Sequence, residues 1–476
     1  MHLTHLPPGS LPAFAHLNQI HLALKPVTTP SSGTGLHFSS TDAADDSGPL
    51  VKIPQDLILC ASTVEARAKY DHHLAEVLKA VGEFARSPRG AIMVFLLVSF
   101  STAAGLGVGQ RGTWSEYVKF LPDRVALPTT WTEHERHLLK GTSLATAVEA
   151  KLHTLMTEFT HLQTSTAHLP WCQSHWWDPP EELILEDWIH IDSIFRSRVL
   201  QFPRLGVGMA PVLDFVNHGD PNAYYSVDED GDVVLLWREG VEKREGEVFI
   251  NYGSEKSAAE MVFSYGFIDA SVSNAFWLSI ELRHDPEDPL GLAKEAVMKE
   301  SPRLRIFVLD GKIAWLSTFI WLMCVNAEDG LSFRLLQEND GSRKLLCTWG
   351  GEVVEEISHL ESLLEKSALW EVYQLRAVSL VQGRVIEQLN ELVAAEEEMQ
   401  SITGEVGEMA ERLRVLEGNL LRKAVDDLEV QKERLVETEV VKEYLKKMAE
   451  DESVEEQAVE QAEDQDEIQD DDEDLR

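Results

Sequence analysis

Four short runs carry the residues able to do chemistry: Arg196-Ser197-Arg198, MAPVLDFVNH (209–218), GEVFINYG (246–253) and Tyr265-Gly266-Phe267, with Asn222 between the second and third. Singly they are modest. An Asn-His pair is more often a capped turn with a satisfied histidine than a site, a Tyr-Gly at a strand end is commonly a turn, and an Arg by itself is by default a surface ion pair. Their order and spacing set them apart. Rival chemistries lack their marks: no G-x-x-x-x-G-K-[ST], no H-E-x-x-H and no G-x-S-x-G occurs. The 17 histidines, His72-His73 included, have no metal-ligand companions at suitable spacing.

These runs need elements to hold them. After residue 205 the apolar pattern reads as strands: Met209–Leu213, Ala223–Val227, Val233–Trp237 and Glu247–Asn251. Turns such as Asp228-Glu-Asp-Gly231 and Glu245-Gly246 separate them. A short helix over Lys256–Phe263 follows. Residues 1–60 read as short strands and loops, with Leu50–Ile53 a strand stopped by Pro54. From Thr63 to about residue 195 helical spacing dominates, as in Val64, Ala68, Leu74, Val77, Leu78 and Val81, and again in Leu138, Leu139, Leu144, Ala147, Leu152, Leu155 and Phe159. From about Leu290 to Met448 the chain reads as helical. Val406, Met409, Leu413, Leu416 and Leu420 follow heptad spacing, and Leu421, Leu428 and Leu435 repeat every seven. That pattern fits a coiled coil, a long helical hairpin, or two amphipathic helices packed on their own domain.

Taken together, P-x-x-D-x-x-N-H, then G-E-x-x-x-x-Y-G, then Y-G-F resembles the SET domains of the class of the Rubisco large-subunit lysine methyltransferase and the actin-histidine methyltransferase. Upstream, LPAFAHLNQI, Gly33-Thr34-Gly35-Leu36 and a V-x-I-P strand fit as well. WSEYVKFLP…LPTTWTEHERHLLKG (114–141) resembles the helical insertion that splits the domain in this class. The resemblance covers residues 10–270 well and the C-terminal helices loosely. It implies an α+β fold: short β-sheets with a pseudoknot, a helical insertion, and an all-α C-terminal substrate-binding domain. The corresponding segments are 1–90 and 196–270 for the SET domain, 91–195 for the insertion, 271–448 for the helical domain with a possible coiled coil, and 449–476 for an acidic tail. The loop after Gly35 (HFSSTDAADDSG) departs from the pattern, lacking the usual strand and Gly-Glu turn.

The resemblance also implies a cofactor, S-adenosylmethionine, and roles for residues. Gly33, Gly35 and Leu36 line the cofactor's first wall, where glycines let backbone approach closely. Arg198 supplies a forked cation for a carboxylate or for the site's geometry. Asn217 and His218 contact the cofactor, an amide suiting its zwitterion because it both donates and accepts. Asp214 holds that loop and is a candidate substrate contact. Tyr252 is the catalytic tyrosine and also touches cofactor. Tyr265 and Phe267 line an apolar channel in which a lysine is more easily neutral. Methyl transfer is an in-line displacement, so alignment and C–H···O contacts replace any protein nucleophile. The expected activity is methylation of a lysine on a non-histone protein. The alternatives are methylation of a histidine, or a silent module with the same fold.

Charge and composition set the outer limits. The 476 residues are 44% hydrophobic, enough for a large core, and the formal net charge is −39. From Glu450 onward there are 15 acidic residues and one base, a stretch expected to be disordered and chiefly solubilising. Such acidity argues against direct nucleic-acid binding. Cys60, Cys172, Cys324 and Cys347 form no CxxC or CxC, which argues against structural zinc and disulfides. No cysteine cluster follows Tyr265-Gly266-Phe267. Arg89 to Arg111 encloses no charged residue, and it reads as a buried helix of about three turns plus a loop rather than a membrane span. The expected partner is a protein presenting lysine or histidine, the expected state a monomer, and the expected location cytoplasmic, with the nucleus open.

Overall fold

Strand-forming residues in this chain come in runs of two to seven, cut by glycine, proline and acidic turns, so the sheets are many and small. The structure, a computed structural model, describes residues 3–29, 33–39, 48–178, 182–337, 341, 343–398 and 404–450. Two compact units emerge. The first comprises Met1–Leu139, Leu144–Val272 and Ile402–Ala410; the second comprises Lys140–Ser143, Ser273–Ser401 and Glu411–Arg476.

In the first unit, strands distant in sequence share sheets. Val51–Ile53 pairs antiparallel with His21–Leu22 on one side and with Val233–Leu235 on the other, and Ala223–Val227 completes the sheet. Gly33–Phe38 lies between Lys25–Thr29 and Gly246–Glu247. Leu59–Cys60, Gly206–Met209 and Leu200–Phe202 form a third antiparallel sheet. The helices between residues 61 and 198 are thus inserted between two halves of one β-structure. Pro88–Ala103 is buried from Gly90 to Thr102, which explains its uncharged run. Ser101 and Thr102 return their hydroxyls to the carbonyls of Leu97 and Val98. Among the described residues no helix is long and apolar enough to cross a membrane.

A buried charge cluster ties the helices together. Asp192 receives Arg89 (2.7 Å), Lys151 (2.9 Å) and Arg196 (2.7 Å), and Arg89 also meets Glu158 at 2.6 Å. Burial would raise the Asp192 carboxyl, but Arg196, Lys151 and Arg89 hold it below the ordinary range.

Several elements differ from the sequence expectation. Leu11–Leu17 is a helix, with Leu11, Phe14 and Ala15 buried, in a region expected to hold only strands and loops. The strand expected over Met209–Leu213 stops at Met209, because Pro211 has no N–H to donate and Val212 turns the chain at φ 75°. Glu247–Asn251 is not one strand. Gly246–Glu247 pairs with His37–Phe38, and Phe249–Ile250 pairs with Asn217–His218.

The second unit requires the largest correction: the C-terminal region is not all-helical. Its long helices follow two three-stranded sheets, Trp277–Glu281, Arg303–Leu309 and Lys312–Leu316, then Leu331–Gln337, Arg343–Trp349 and Glu352–Val354. Leu304 and Ile306 are buried between exposed Arg303 and Arg305, a period of two that a helical reading overlooks. The helices Trp370–Glu398 and Glu405–Val436 follow. Leu413, Leu416, Leu420, Leu421 and Leu428 are buried, and Gln382 bonds both Glu429 (2.6 Å) and Lys432 (3.0 Å) across the pair. Within this unit Trp370–Glu398 and residues 411–436 pair as amphipathic helices. The acidic run from residue 451 and most of the loop after Gly35 lie outside the described residues.

Candidate active site

One parallel pairing assembles the centre. Phe249 lies opposite Asn217 and Ile250 opposite His218, which brings the Asn-His run beside Tyr252. Asn222 secures the pairing, donating to the Glu247 carbonyl (3.1 Å) and accepting from the Phe249 N–H (2.8 Å).

The polar end forms over the strand Gly33–Phe38. Asn217 Nδ2 donates to Glu247 Oε1 at 2.6 Å, and His37 Nε2 lies 3.8 Å from Glu247 Oε2. A Cβ on Gly35 would stand 2.0 Å from Glu247 Oε1 and 2.8 Å from Asn217 Nδ2. Gly35 is therefore the floor on which the amide and the carboxylate converge. Gly33 lies at the start of the same strand at φ 71°, with open space where a side chain would stand. Leu36 is buried in the core, and its carbonyl accepts from the Val248 N–H at 2.8 Å.

The aromatic end is built by a well-marked helix. Ser257 and Glu260 form a capping box at the start of Ala258–Tyr265, and Gly266 closes it at φ 78°. A side chain at Gly266 would meet the Ala126 carbonyl at 2.7 Å. Tyr265 and Phe267 flank that glycine. Ring centroids lie 4.7 Å apart for Tyr252–Tyr265, 5.3 Å for His218–Tyr252 and 5.8 Å for His218–Phe267. Tyr252 donates its hydroxyl to the Val216 carbonyl (2.9 Å), and Tyr265 donates to the Tyr252 carbonyl (3.4 Å). His218 Nδ1 accepts from the Tyr252 N–H at 3.1 Å, so the ring's proton sits on Nε2, facing Asp269 at 3.8 Å. Burial lowers the His218 pKa, with Asp269 opposing, so the neutral ring is favoured.

Burial sets the protonation states of the other groups. The Tyr252 hydroxyl is pushed well above its ordinary value and Tyr265 up to about 12, so both stay neutral phenols at physiological pH. Asp214, only 2% exposed, meets Arg198 Nε at 3.4 Å and accepts from the Tyr117 hydroxyl. Burial pushes its carboxyl up to about 6, against the pull of Arg198 and the Tyr117 hydrogen bond. These contacts give Asp214 the role of holding its loop.

Beside this centre a cleft of about 530 Å³ is lined by Pro221, Tyr224, Tyr225, Arg238, Ile250 and Asn251. Three contributors have no counterpart among the residues singled out by sequence. Glu247 was legible in the G-E-x-x-x-x-Y-G run but passes for a turn residue. His37 and Tyr117 carry no local signal, Tyr117 being 97 residues from its partner Asp214. Among the described residues no group of His, Cys, Asp and Glu is arranged to hold a metal.

Small sheets split by helices, with an Asn-His strand paired to the strand before a Tyr-Gly turn, define a SET-type methyltransferase. Residues 206–285 match the family cytochrome c lysine N-methyltransferase 1. SET domain-containing protein 8 of Schizosaccharomyces pombe is 30% identical over 404 residues, 83% of this chain and 89% of that protein. The chloroplastic [fructose-bisphosphate aldolase]-lysine N-methyltransferase of Arabidopsis thaliana is 27% identical over 208 residues, 40% of this chain and 42% of its own length. Among solved structures, the SET domain of LSMT bound to methyllysine and AdoHcy superposes with a TM-score of 0.63 at 18% identity, over 90% of this chain and 93% of that one. The chain belongs to the SET-domain methyltransferases.

The residues present fit S-adenosylmethionine, the AdoMet bound in a solved Rubisco LSMT structure of this fold. The bare backbone at Gly35, the Glu247 carboxylate and the Asn217 amide form a cradle that a single Cβ would fill. An acceptor-rich cradle of this kind suits an ammonium.

Proposed function

We propose that this chain methylates the side-chain nitrogen of a lysine on a non-histone protein, with Tyr252 as the catalytic residue. One observation carries this: the polar cradle of Gly35, Asn217 and Glu247 and the aromatic cluster of His218, Tyr252, Tyr265 and Phe267 are joined through two strand-paired residues. When bound, S-adenosylmethionine supplies an electrophilic methyl on a sulfonium. Asn217, Glu247 and His218 hold it from the cradle side. The rings of Tyr252, Tyr265 and Phe267 surround the acceptor chain and disfavour its ammonium form, so the amine enters neutral. The Tyr252 hydroxyl, neutral and committed as donor to Val216, keeps lone pairs to accept polarised C–H groups. Neither phenol acts as a base, because burial holds both protonated.

The acceptor's protein approaches by the cleft beside Asn251. The similar plant enzymes act on fructose-bisphosphate aldolase and the Rubisco large subunit, neither of them a histone, which supports the substrate class. On this reading the enzyme works as a monomer, in the cytoplasm with the nucleus open. Transfer of tritiated methyl into cell extract, followed by amino-acid analysis of the labelled protein, tests it. Labelled methyllysine is expected; labelled methylhistidine, or no label from protein that binds the donor, overturns the proposal.

A further inference from the structure

Tyr117 lies on the short helix Thr113–Tyr117 and is fully buried. Its ring packs against Phe14 (5.3 Å), Trp114 (5.4 Å) and Phe215 (6.5 Å). For that packing a phenylalanine would suffice. The hydroxyl has its own work: it accepts from the Val212 N–H at 2.8 Å and donates to Asp214 Oδ1. Both partners sit in the turn that leads into the Asn217–His218 strand.

That turn needs holding. Val212 adopts φ 75° and ψ −44°, a conformation that a β-branched residue rarely takes and that persists only where the surroundings enforce it. Leu213–Phe215 then forms a single 3-10 turn, and the strand begins two residues later. The second oxygen of Asp214 faces Arg198 Nε at 3.4 Å, on the helix Leu185–Arg198. The hydroxyl therefore links an inserted helix, a strained backbone turn and a buried ion pair.

We infer that Tyr117 is a positioning residue for methyl-donor binding, acting through Val212 and Asp214 to fix the register of Asn217 and His218 against Glu247 and Tyr252. The inference rests on S-adenosylmethionine being the ligand of that strand. It makes donor affinity depend on the Asp214 charge. The ionised carboxylate accepts from Tyr117 and attracts Arg198, whereas the protonated acid loses its ion pair. The titratable and charged groups facing Asp214 are Tyr117, Arg198 and, more remotely, Tyr252. With both phenols held protonated by burial, Asp214 is the group of these that changes charge near pH 6.

Calorimetric titration of the full chain with S-adenosylmethionine, from pH 5 to 8, tests this. Wild-type affinity should fall as pH drops through about 6. Tyr117→Phe should weaken binding roughly tenfold at pH 7.5, the scale of one hydrogen bond to a charged group. It should also move the midpoint to higher pH, since the lost hydroxyl favoured the carboxylate. Asp214→Asn, a mimic of the protonated acid, should bind weakly at every pH, and adding Tyr117→Phe to it should cost little more. Trp114→Phe removes another buried hydrogen bond of the same helix, to Leu57 O. It should lower thermal stability and leave the pH midpoint in place. A Tyr117→Phe profile superimposed on wild type overturns the inference. If that variant does not fold, an Asp214→Asn protein that keeps the wild-type pH dependence overturns it equally. Wild-type protein that binds no donor at any pH would instead refute the underlying ligand.

Discussion

Replacing Gly35 by alanine tests the construction of the cofactor cradle. The added Cβ would lie 2.0 Å from Glu247 Oε1 and 2.8 Å from Asn217 Nδ2, so one of these groups must move. The atom met first is the free end of the Glu247 side chain, which must swing aside while its backbone, paired with His37 and held by Asn222, stays in place. The 2.6 Å Asn217–Glu247 hydrogen bond is the contact to break. A hydrogen bond to a charged group contributes about 1.5–3 kcal/mol, and a forced methyl costs a further ~1–3 kcal/mol. At 1.4 kcal/mol per decade, the two together should lower donor affinity between roughly 60-fold and about 2 × 10⁴-fold. Calorimetry with S-adenosylhomocysteine reads this without an acceptor protein. Gly33→Ala is the control. It has open space and a φ of 71°, so it should cost stability of about 1 kcal/mol and leave affinity unchanged. Combining Gly35→Ala with Glu247→Ala should cost less than the sum of the two. Strict additivity, or a Gly35→Ala protein that binds like wild type, would refute the steric account.

Further outcomes follow from the same geometry. Tyr252→Phe should reduce turnover roughly 10²-fold while sparing donor affinity, read by single-turnover transfer beside calorimetry; equal loss of both would remove Tyr252 from its catalytic role. Asp192→Ala leaves Arg89, Lys151 and Arg196 in a buried cluster with only Glu158, and should destabilise by about 3–5 kcal/mol in denaturant unfolding. The Asp214 carboxyl titrates near 6 in the folded chain and near 4 when exposed, so the folded state binds its proton more readily. Its stability penalty is therefore absent below about pH 4, grows between 4 and 6, and is full above 6. Asp214→Asn should then raise the thermal midpoint at pH 7.5, by less than the ~3 kcal/mol of the shift because Arg198 loses its partner, and the gain should vanish near pH 4. Deleting residues 450–476 should weaken binding of a basic substrate mainly at low salt if the tail steers it; an unchanged salt dependence assigns it to solubility alone.

The amino-acid sequence by itself determined the identity and order of the chemical runs. P-x-x-D-x-x-N-H, G-E-x-x-x-x-Y-G and Y-G-F survive in a linear reading because each is governed by local geometry. Gly266 must close a helix in the left-handed region, and Ser257 and Glu260 must open it. The run Gly90–Thr102 likewise shows itself: it is buried at every position, and an uncharged stretch of that length marks a buried helix. The strands of the second unit do not, although the shorter Ala223–Val227 and Val233–Trp237 do. Arg303–Leu309 alternates only over its first four residues and Leu331–Gln337 buries only Leu331, so neither stands out among the helical runs around them. The pairing of Asn217-His218 with Phe249-Ile250, the meeting of Gly35 with Glu247, and the bond from Tyr117 to Asp214 were decided only by the tertiary structure. Each joins residues at least 30 positions apart, and nothing in the local chain records which distant strand or hydroxyl will lie opposite. Backbone pairing and burial select those partners: a fully buried hydroxyl or carboxylate must find a hydrogen bond, and here the partner is supplied by an inserted helix.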